Sequence, residues 1–176
     1  SMAETAESLA EKYKLTRKEV DEVAVASQKR AKQAWDDCAF QDEVVPLTIR
    51  VKGKEVEFRA DEHMRPDTTL EILSALKPYF KKDGLVTAGN ASGIGDGAAA
   101  CVIADGAWAA KRGLTPIGRL VSWGFAGVDP SIMGIGPAPA ARRALEKAGL
   151  AIEDMDLVEV NEAFAPQYKS VERELG

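Results

Sequence analysis

The sequence predicts an α/β protein. Three observations carry that expectation. Two segments with helical spacing open the chain. A stretch with a period of two follows around residues 44–58. From residue 98 onward, short apolar runs alternate with helical segments, which is the pattern of α/β chains. Composition agrees with a folded chain: of 176 residues, 45% are hydrophobic and 29% charged, too apolar for disorder. Lys and Arg number 23 against 28 Asp and Glu, a net charge of −5. With no basic run, nucleic acid is not an expected partner. No apolar stretch reaches the ~20 residues that a membrane-spanning helix needs, so no membrane partner is expected. No secretory signal is expected at the N-terminus, and two cysteines make no disulfide framework.

The elements follow in order. Met2, Ala6, Leu9 and Tyr13 share one helical face. Thr16 and Glu19 form a capping box that opens a second helix. Val20, Ala24, Ser27, Ala31 and Ala34 then make a stripe of small residues suited to close packing. Lys29, Arg30, Lys32, Asp36 and Asp37 read as a solvated face. Pro46 suits a strand start, and Lys52-Gly53 is the turn of a β-hairpin in which Val56 and Phe58 alternate with charged residues. Leu70, Leu73 and Leu76 suit a short helix stopped by Pro78.

Composition shifts at Gly84 to a small, polar, Gly-rich stretch, residues 87–97. The run Ala98–Ala104 is expected to be a strand buried on both faces, with Cys101 as inert packing inside it. A helix over Asp105–Arg112 ends at Gly113. Ile117–Trp123 is a second strand candidate. Pro137 and Pro139 mark the start of a helix that ends at Gly149. Leu157–Val160 is a third strand candidate, and Phe164, Tyr168, Val171 and Leu175 mark the inner face of a last helix.

The chemistry-bearing candidates are few. His63, the one histidine, stands beside Asp61 and Glu62 and reads more readily as a surface or structural residue than as a catalyst. Cys38 follows two acids, which disfavour a thiolate. No spacing suggests a metal site. The Gly-rich stretch lets a ligand approach the backbone. It is neither a P-loop nor a good dinucleotide fingerprint, and ligand contact and a linker stand even on spacing alone. Asn161 and Glu162 fall where a strand is expected to end and a helix to begin. That is where ligands gather in open α/β sheets, but on spacing alone a plain helix cap is the favoured explanation.

Three longer motifs carry a resemblance: Val86-Thr87-Ala88-Gly89-Asn90-Ala91-Ser92-Gly93, then residues 128–137 (Val128-Asp129-Pro130 through Gly136-Pro137), then residues 156–165, which contain Asn161-Glu162-Ala163-Phe164. In content and order they closely resemble the thiolase family, the acetyl-CoA acetyltransferases and 3-ketoacyl-CoA thiolases. The resemblance implies a partial thiolase fold of α-β-α layers with part of an inserted coenzyme A-binding loop domain. Residues 1–94 would belong to that loop domain, 95–116 would finish the first half and 117–176 would begin the second. It implies thiolysis of a 3-ketoacyl-CoA, or the reverse Claisen condensation, through an acyl-cysteine. The nucleophilic cysteine, the second cysteine and the Gly-His-Pro histidine of the family have no counterpart in these residues. A non-catalytic coenzyme A-binding or subunit-interaction fragment is therefore the alternative.

By motif, Asn161 would anchor the oxyanion-stabilising water. Arg65, Phe80, Ala88, Ala91, Ser92, Gly93, Met133, Ala163 and Phe164 would contact the coenzyme or the acyl end, with Ser92 bonding the pantetheine amides. Coenzyme A or acyl-CoA would be substrate, with no covalently held cofactor. The remaining expected partners are the rest of the thiolase, or a companion chain, and further copies in a homodimer or homotetramer. The expected location is the cytoplasm, or alternatively the mitochondrial matrix. A central strand at Ala98–Ala104 would need neighbours from outside this segment, so the segment is not expected to fold stably alone.

Overall fold

The computed structural model describes all 176 residues. Helix α1 (Met2–Lys12) is opened by a capping box from Ser1 and Glu4. Helix α2 (Arg17–Asp36) is opened by one from Thr16 and Glu19. There the Glu19 carboxylate accepts from the Thr16 backbone N–H at 2.8 Å, which lowers its pKa. Strands β1 (Leu47–Val51) and β2 (Lys54–Phe58) pair antiparallel with Leu47 opposite Phe58. Lys52 and Gly53 both have positive φ, 50° and 81°, the left-handed pair that a tight two-residue hairpin turn requires. Helix α3 (Leu70–Ser74) ends earlier than Pro78 demands. Helix α4 (Gly106–Lys111) is capped by Asp105. A 3₁₀ segment (Pro130–Ile135) leads into α5 (Pro137–Ala148), which ends at Gly149 in the left-handed region. Helix α6 (Ala165–Leu175) closes the chain.

The packed part of the fold joins the two ends of the sequence. Leu9 of α1, Ile135, Ala138 of α5 and Val171 of α6 form one apolar cluster. Ala10, Leu15, Val20 of α2 and Ala165 form another beside it. A polar clasp covers the first: the Tyr13 hydroxyl donates to Glu174 Oε2 at 2.7 Å, and Arg142 pairs with the other oxygen at 3.0 Å. Burial first, and the Glu174 carboxylate second, push the Tyr13 phenol up to about 12. The same hydrogen bond, followed by that of Arg142, holds Glu174 below its usual value.

The three expected strands of the second half are not strands here. Residues 98–104 are irregular, and Val102 is 96% exposed. Cys101 is likewise exposed, contrary to its expected role as packing. Residues 117–123 and 157–160 join no ladder, and Leu157 is 78% exposed. The physical reason is visible in residues 121–128. Their exposure alternates residue by residue. Ser122 donates to the Ala144 carbonyl at 2.6 Å, and Lys147 reaches the Trp123 carbonyl at 2.9 Å. This segment is extended and covered by α5 on one face, but no neighbouring strand offers it a ladder. A strand is defined by its partner, and apolar residues without one stay exposed. Only 22 of the 176 residues are buried, and the segments 98–104, 117–123 and 157–160 contribute none of them.

Candidate functional site

The Gly-rich stretch and the Asn161 motif meet in space. Ala91 pairs with Phe164 in an isolated antiparallel bridge. The Ser92 N–H donates to the Ala163 carbonyl at 3.1 Å, and the Ala165 N–H donates to the Asn90 carbonyl at 2.9 Å. Two motifs some seventy residues apart thus become adjacent backbones. Ala91, Ser92, Ala163 and Phe164 are brought together, and Asn161 stands two residues before Ala163 at the exposed end of the junction. Phe164 turns inward onto Ala3, Ala6 and Val86 with Ala91. The carboxylate of Glu162 accepts from the Ser27 hydroxyl of α2.

The loop over residues 84–92 is held from beneath by buried polar groups. The Glu7 carboxylate on α1 accepts the Leu85 N–H at 2.9 Å and the Val86 N–H at 2.8 Å. Asp21 on α2 accepts from Arg17 Nε at 2.7 Å and from Asn90 Nδ2 at 2.9 Å. Glu7, Asp21, Asn90 and Thr87 are all buried, and a buried carboxylate is tolerated only when its lone pairs are filled in this way. At Gly89 the loop passes so close to α3 that a Cβ would lie 2.4 Å from the Leu73 side chain. Glycine is the residue that fits.

Gly93 is crowded from the other side. A Cβ there would lie 2.5 Å from His63 Cε1, so the imidazole rests on the Gly93 backbone. The turn carrying His63 is tied to α2 by the Arg65 N–H, which donates to Gln28 Oε1 at 2.7 Å. The Arg65 guanidinium donates to the Glu62 carbonyl at 2.9 Å and is otherwise exposed. Arg65 itself is not brought onto the junction; it lies two residues from His63, which is. Phe80 is exposed and meets Tyr79 edge-on at 5.0 Å, in a loop pinned by the Tyr79 N–H to the Val86 carbonyl. Ala88 is exposed beside buried Thr87. Met133, half-exposed, lies on the 3₁₀ segment that packs against α1 and α6. That turn is set by Asp129, whose carboxylate accepts from the Ser131 hydroxyl and N–H, lowering its pKa.

Reasoning from spacing missed Glu7, Asp21 and Asn90 as supports, and the contact of His63 with Gly93. A signal for two of them was present. Glu7 falls between Ala3 and Ala10, and Asp21 between Val20 and Ala24, so each acid interrupts an apolar stripe. No three His, Cys, Asp or Glu side chains are grouped to hold a metal ion, and no helix is long and apolar enough to cross a membrane.

Comparison with known families decides which family the chain belongs to. The profile "Thiolase, N-terminal domain" matches residues 1–107, and "Thiolase, C-terminal domain" matches residues 114–176. The chain belongs to the thiolase family. This thiolase chain is 56% identical over 174 residues to the 3-ketoacyl-CoA thiolase, mitochondrial, of Homo sapiens, covering 99% of the chain and 44% of that protein. It matches the Bacillus anthracis acetyl-CoA acetyltransferase structure with a TM-score of 0.93 at 55% identity, covering 99% of this chain and 44% of that one. It matches the human mitochondrial 3-ketoacyl-CoA thiolase in complex with CoA with a TM-score of 0.90 at 57% identity, covering 99% and 43%. The fold is thus a partial thiolase fold. The chain spans less than half the length of the relatives it matches.

Proposed function

We propose that this chain is the coenzyme-cradling segment of a thiolase acyltransferase. It acts with sequence outside these 176 residues to cleave a 3-ketoacyl-CoA with coenzyme A, or to run the reverse Claisen condensation. The observation that carries the reading is the pairing of Ala91 with Phe164. It sets a glycine-rich backbone, on which an extended amide-bearing ligand can lie, beside the segment that presents Asn161. A relative of 57% identity described with CoA bound supports coenzyme A as the ligand. In this division, residues 1–94 belong to the loop domain, 95–116 end the first thiolase half and 117–176 begin the second.

The reaction is a two-stage exchange. A cysteine thiolate from outside this chain attacks the C3 carbonyl. The C2–C3 bond breaks, acetyl-CoA leaves after protonation at C2, and the acyl group stays on sulfur. The thiol of a second coenzyme A loses its proton and attacks that thioester. The shortened acyl-CoA departs, and the cysteine is restored. This chain's share is binding and charge stabilisation. The Asn161 amide orients a water toward the thioester oxyanion, Ser92 bonds the pantetheine amides, and the exposed Arg65 guanidinium meets the phosphate or adenine end, where its planar fork suits both. Phe80, Ala88, Ala91 and Gly93 offer a low surface for the pantetheine chain. Met133, Ala163 and Phe164 border the acyl end. The assembly is a homodimer or homotetramer, placed in the cytoplasm or alternatively in the mitochondrial matrix.

The test is made in the assembled enzyme. Asn161→Ala should lower turnover by ~10²–10³, the usual effect of losing one oxyanion donor, with the melting temperature unchanged. Ser92→Ala and Arg65→Ala should mainly raise KM for coenzyme A. Unchanged turnover in the Asn161 variant removes that residue from the mechanism, and an assembly that binds coenzyme A without any turnover favours the non-catalytic alternative.

A further inference from the structure

Helix α6 begins without a cap of its own. Its N-cap position is Phe164, which has no side-chain acceptor, and its second residue is Pro166, which has no N–H. The first unpaired donor of the helix is the Ala165 N–H, and the Asn90 carbonyl takes it at 2.9 Å. Asn90 is 4% exposed, and its side chain is used in full. Oδ1 accepts the Thr87 N–H at 2.8 Å, while Nδ2 donates to Asp21 Oδ1 and to the Leu85 carbonyl, each at 2.9 Å. Asp21 is in turn held by Arg17, whose guanidinium also caps the Leu73 and Leu76 carbonyls of the α3 region.

One residue therefore joins α2 and the turn at 85–87 through its side chain, and the start of α6 through its backbone carbonyl. It stands two residues before Ser92, and its carbonyl holds the helix that follows Ala163 and Phe164. We infer that Asn90, paired with Asp21, is a positioning residue that sets the coenzyme-binding backbone at Ser92 and the Asn161 segment in one register. This inference rests on the function proposed above. It assigns Asn90 no contact with substrate. Its effect passes through Ser92 on one side and through the α6 terminus on the other. The side-chain amide fixes the backbone on which both Ser92 and that carbonyl stand, so the coenzyme contact and the acyl-transfer step both depend on it. A residue needed only for folding would behave differently, because losing folded protein lowers the apparent kcat and leaves KM alone.

The test uses the assembled enzyme. Asn90→Asp keeps the shape and the acceptor for Thr87 but removes both donors and sets a carboxylate against Asp21, a like-charge contact. Adding Asp21→Asn restores one donor and one acceptor between the two positions and leaves an amide oxygen for Arg17 Nε, with only the Leu85 carbonyl still without its donor. The single variant N90D should raise KM for coenzyme A about tenfold and lower kcat about tenfold, roughly what one lost interaction of ~1.4 kcal/mol gives for each quantity. The swap D21N/N90D should bring both back to within about threefold of the parent, as expected for two residues that act as a pair. If N90D cannot be purified folded, the swap alone carries the test. A swap enzyme that also fails to fold, or that folds with KM still raised tenfold, overturns the inference. So does N90D that loses apparent kcat at unchanged KM. Ser92→Ala separates this from the underlying reading: an unchanged KM for coenzyme A in that variant removes the coenzyme assignment itself. A raised KM there, with an unaffected N90D, removes only the role of Asn90.

Discussion

Replacing Glu7 tests how the loop at 84–92 is held. Its carboxylate is the partner of two backbone donors, the Leu85 and Val86 N–H groups, at 2.9 and 2.8 Å. Glu7 is 4% exposed and Val86 fully buried, so water does not replace the lost acceptor without opening the structure. A hydrogen bond to a charged group contributes about 1.5–3 kcal/mol, and leaving a buried donor unmade costs about 1–3 kcal/mol. Glu7→Ala, which leaves two such donors, should therefore cost about 3–5 kcal/mol. Glu7→Gln keeps one acceptor and turns an NH2 toward the second N–H, so it should cost about half as much. Urea denaturation of the assembled enzyme measures both, from the shift of the midpoint at constant slope. Because the same loop carries Ala91 and Ser92, KM for coenzyme A should rise in the same order. A Glu7→Gln enzyme within about 0.5 kcal/mol of the parent would refute the clasp, since that is the range of ordinary surface changes.

Further outcomes can be stated together. The 176-residue polypeptide alone should melt without a sharp cooperative transition and should bind a hydrophobic dye, because Val102, Ile103, Phe125 and Leu157 are exposed; scanning calorimetry with a single sharp peak would contradict this. Gly89→Ala should destabilise by about 1–3 kcal/mol through overpacking, since the new Cβ would meet Leu73, and thermal melting checks it. Tyr13 is raised from 10 to about 12 in the fold, so the neutral phenol is the stabilised form. Its contribution is complete below pH 10 and is lost as pH rises toward about 12. Denaturation across that window should show a slope that Tyr13→Phe removes. Glu174 has the opposite sign: its pKa is lowered from 4.5, so its contribution is present above that value and fades in acid, and Glu174→Gln should flatten the acid limb of the same titration.

Helices were legible wherever local chemistry decides them. The Thr16–Glu19 box opens α2, Pro137 sits in the first turn of α5, and Gly113 and Gly149 stop α4 and α5 with positive φ. The hairpin was legible because Lys52-Gly53 supplies its own turn. The strands at 98–104, 117–123 and 157–160 were read from apolar content, but a strand needs a partner, and none of these residues supplies one. The residues Ala91, Ser92, Ala163 and Phe164, named by motif, lie next to one another. The supports beneath them were hidden because Glu7 and Asp21 lie on helices, where an acid ordinarily faces water. Their burial depends on the loop at 84–92, 69 to 79 residues further along the chain. His63 was read as a surface residue and is exposed, yet its seat on Gly93 is a tertiary fact that no local spacing announces.

The bridge between Ala91 and Phe164 also governs when this region acquires competence. Closing a loop of about seventy residues costs on the order of 4 kcal/mol in chain entropy, and such distant encounters slow folding. A nascent polypeptide released early would hold the loop at 84–92 on α1 and α2 but would lack Phe164 against it. Under the function proposed above, the encounter would tie coenzyme affinity to completed maturation.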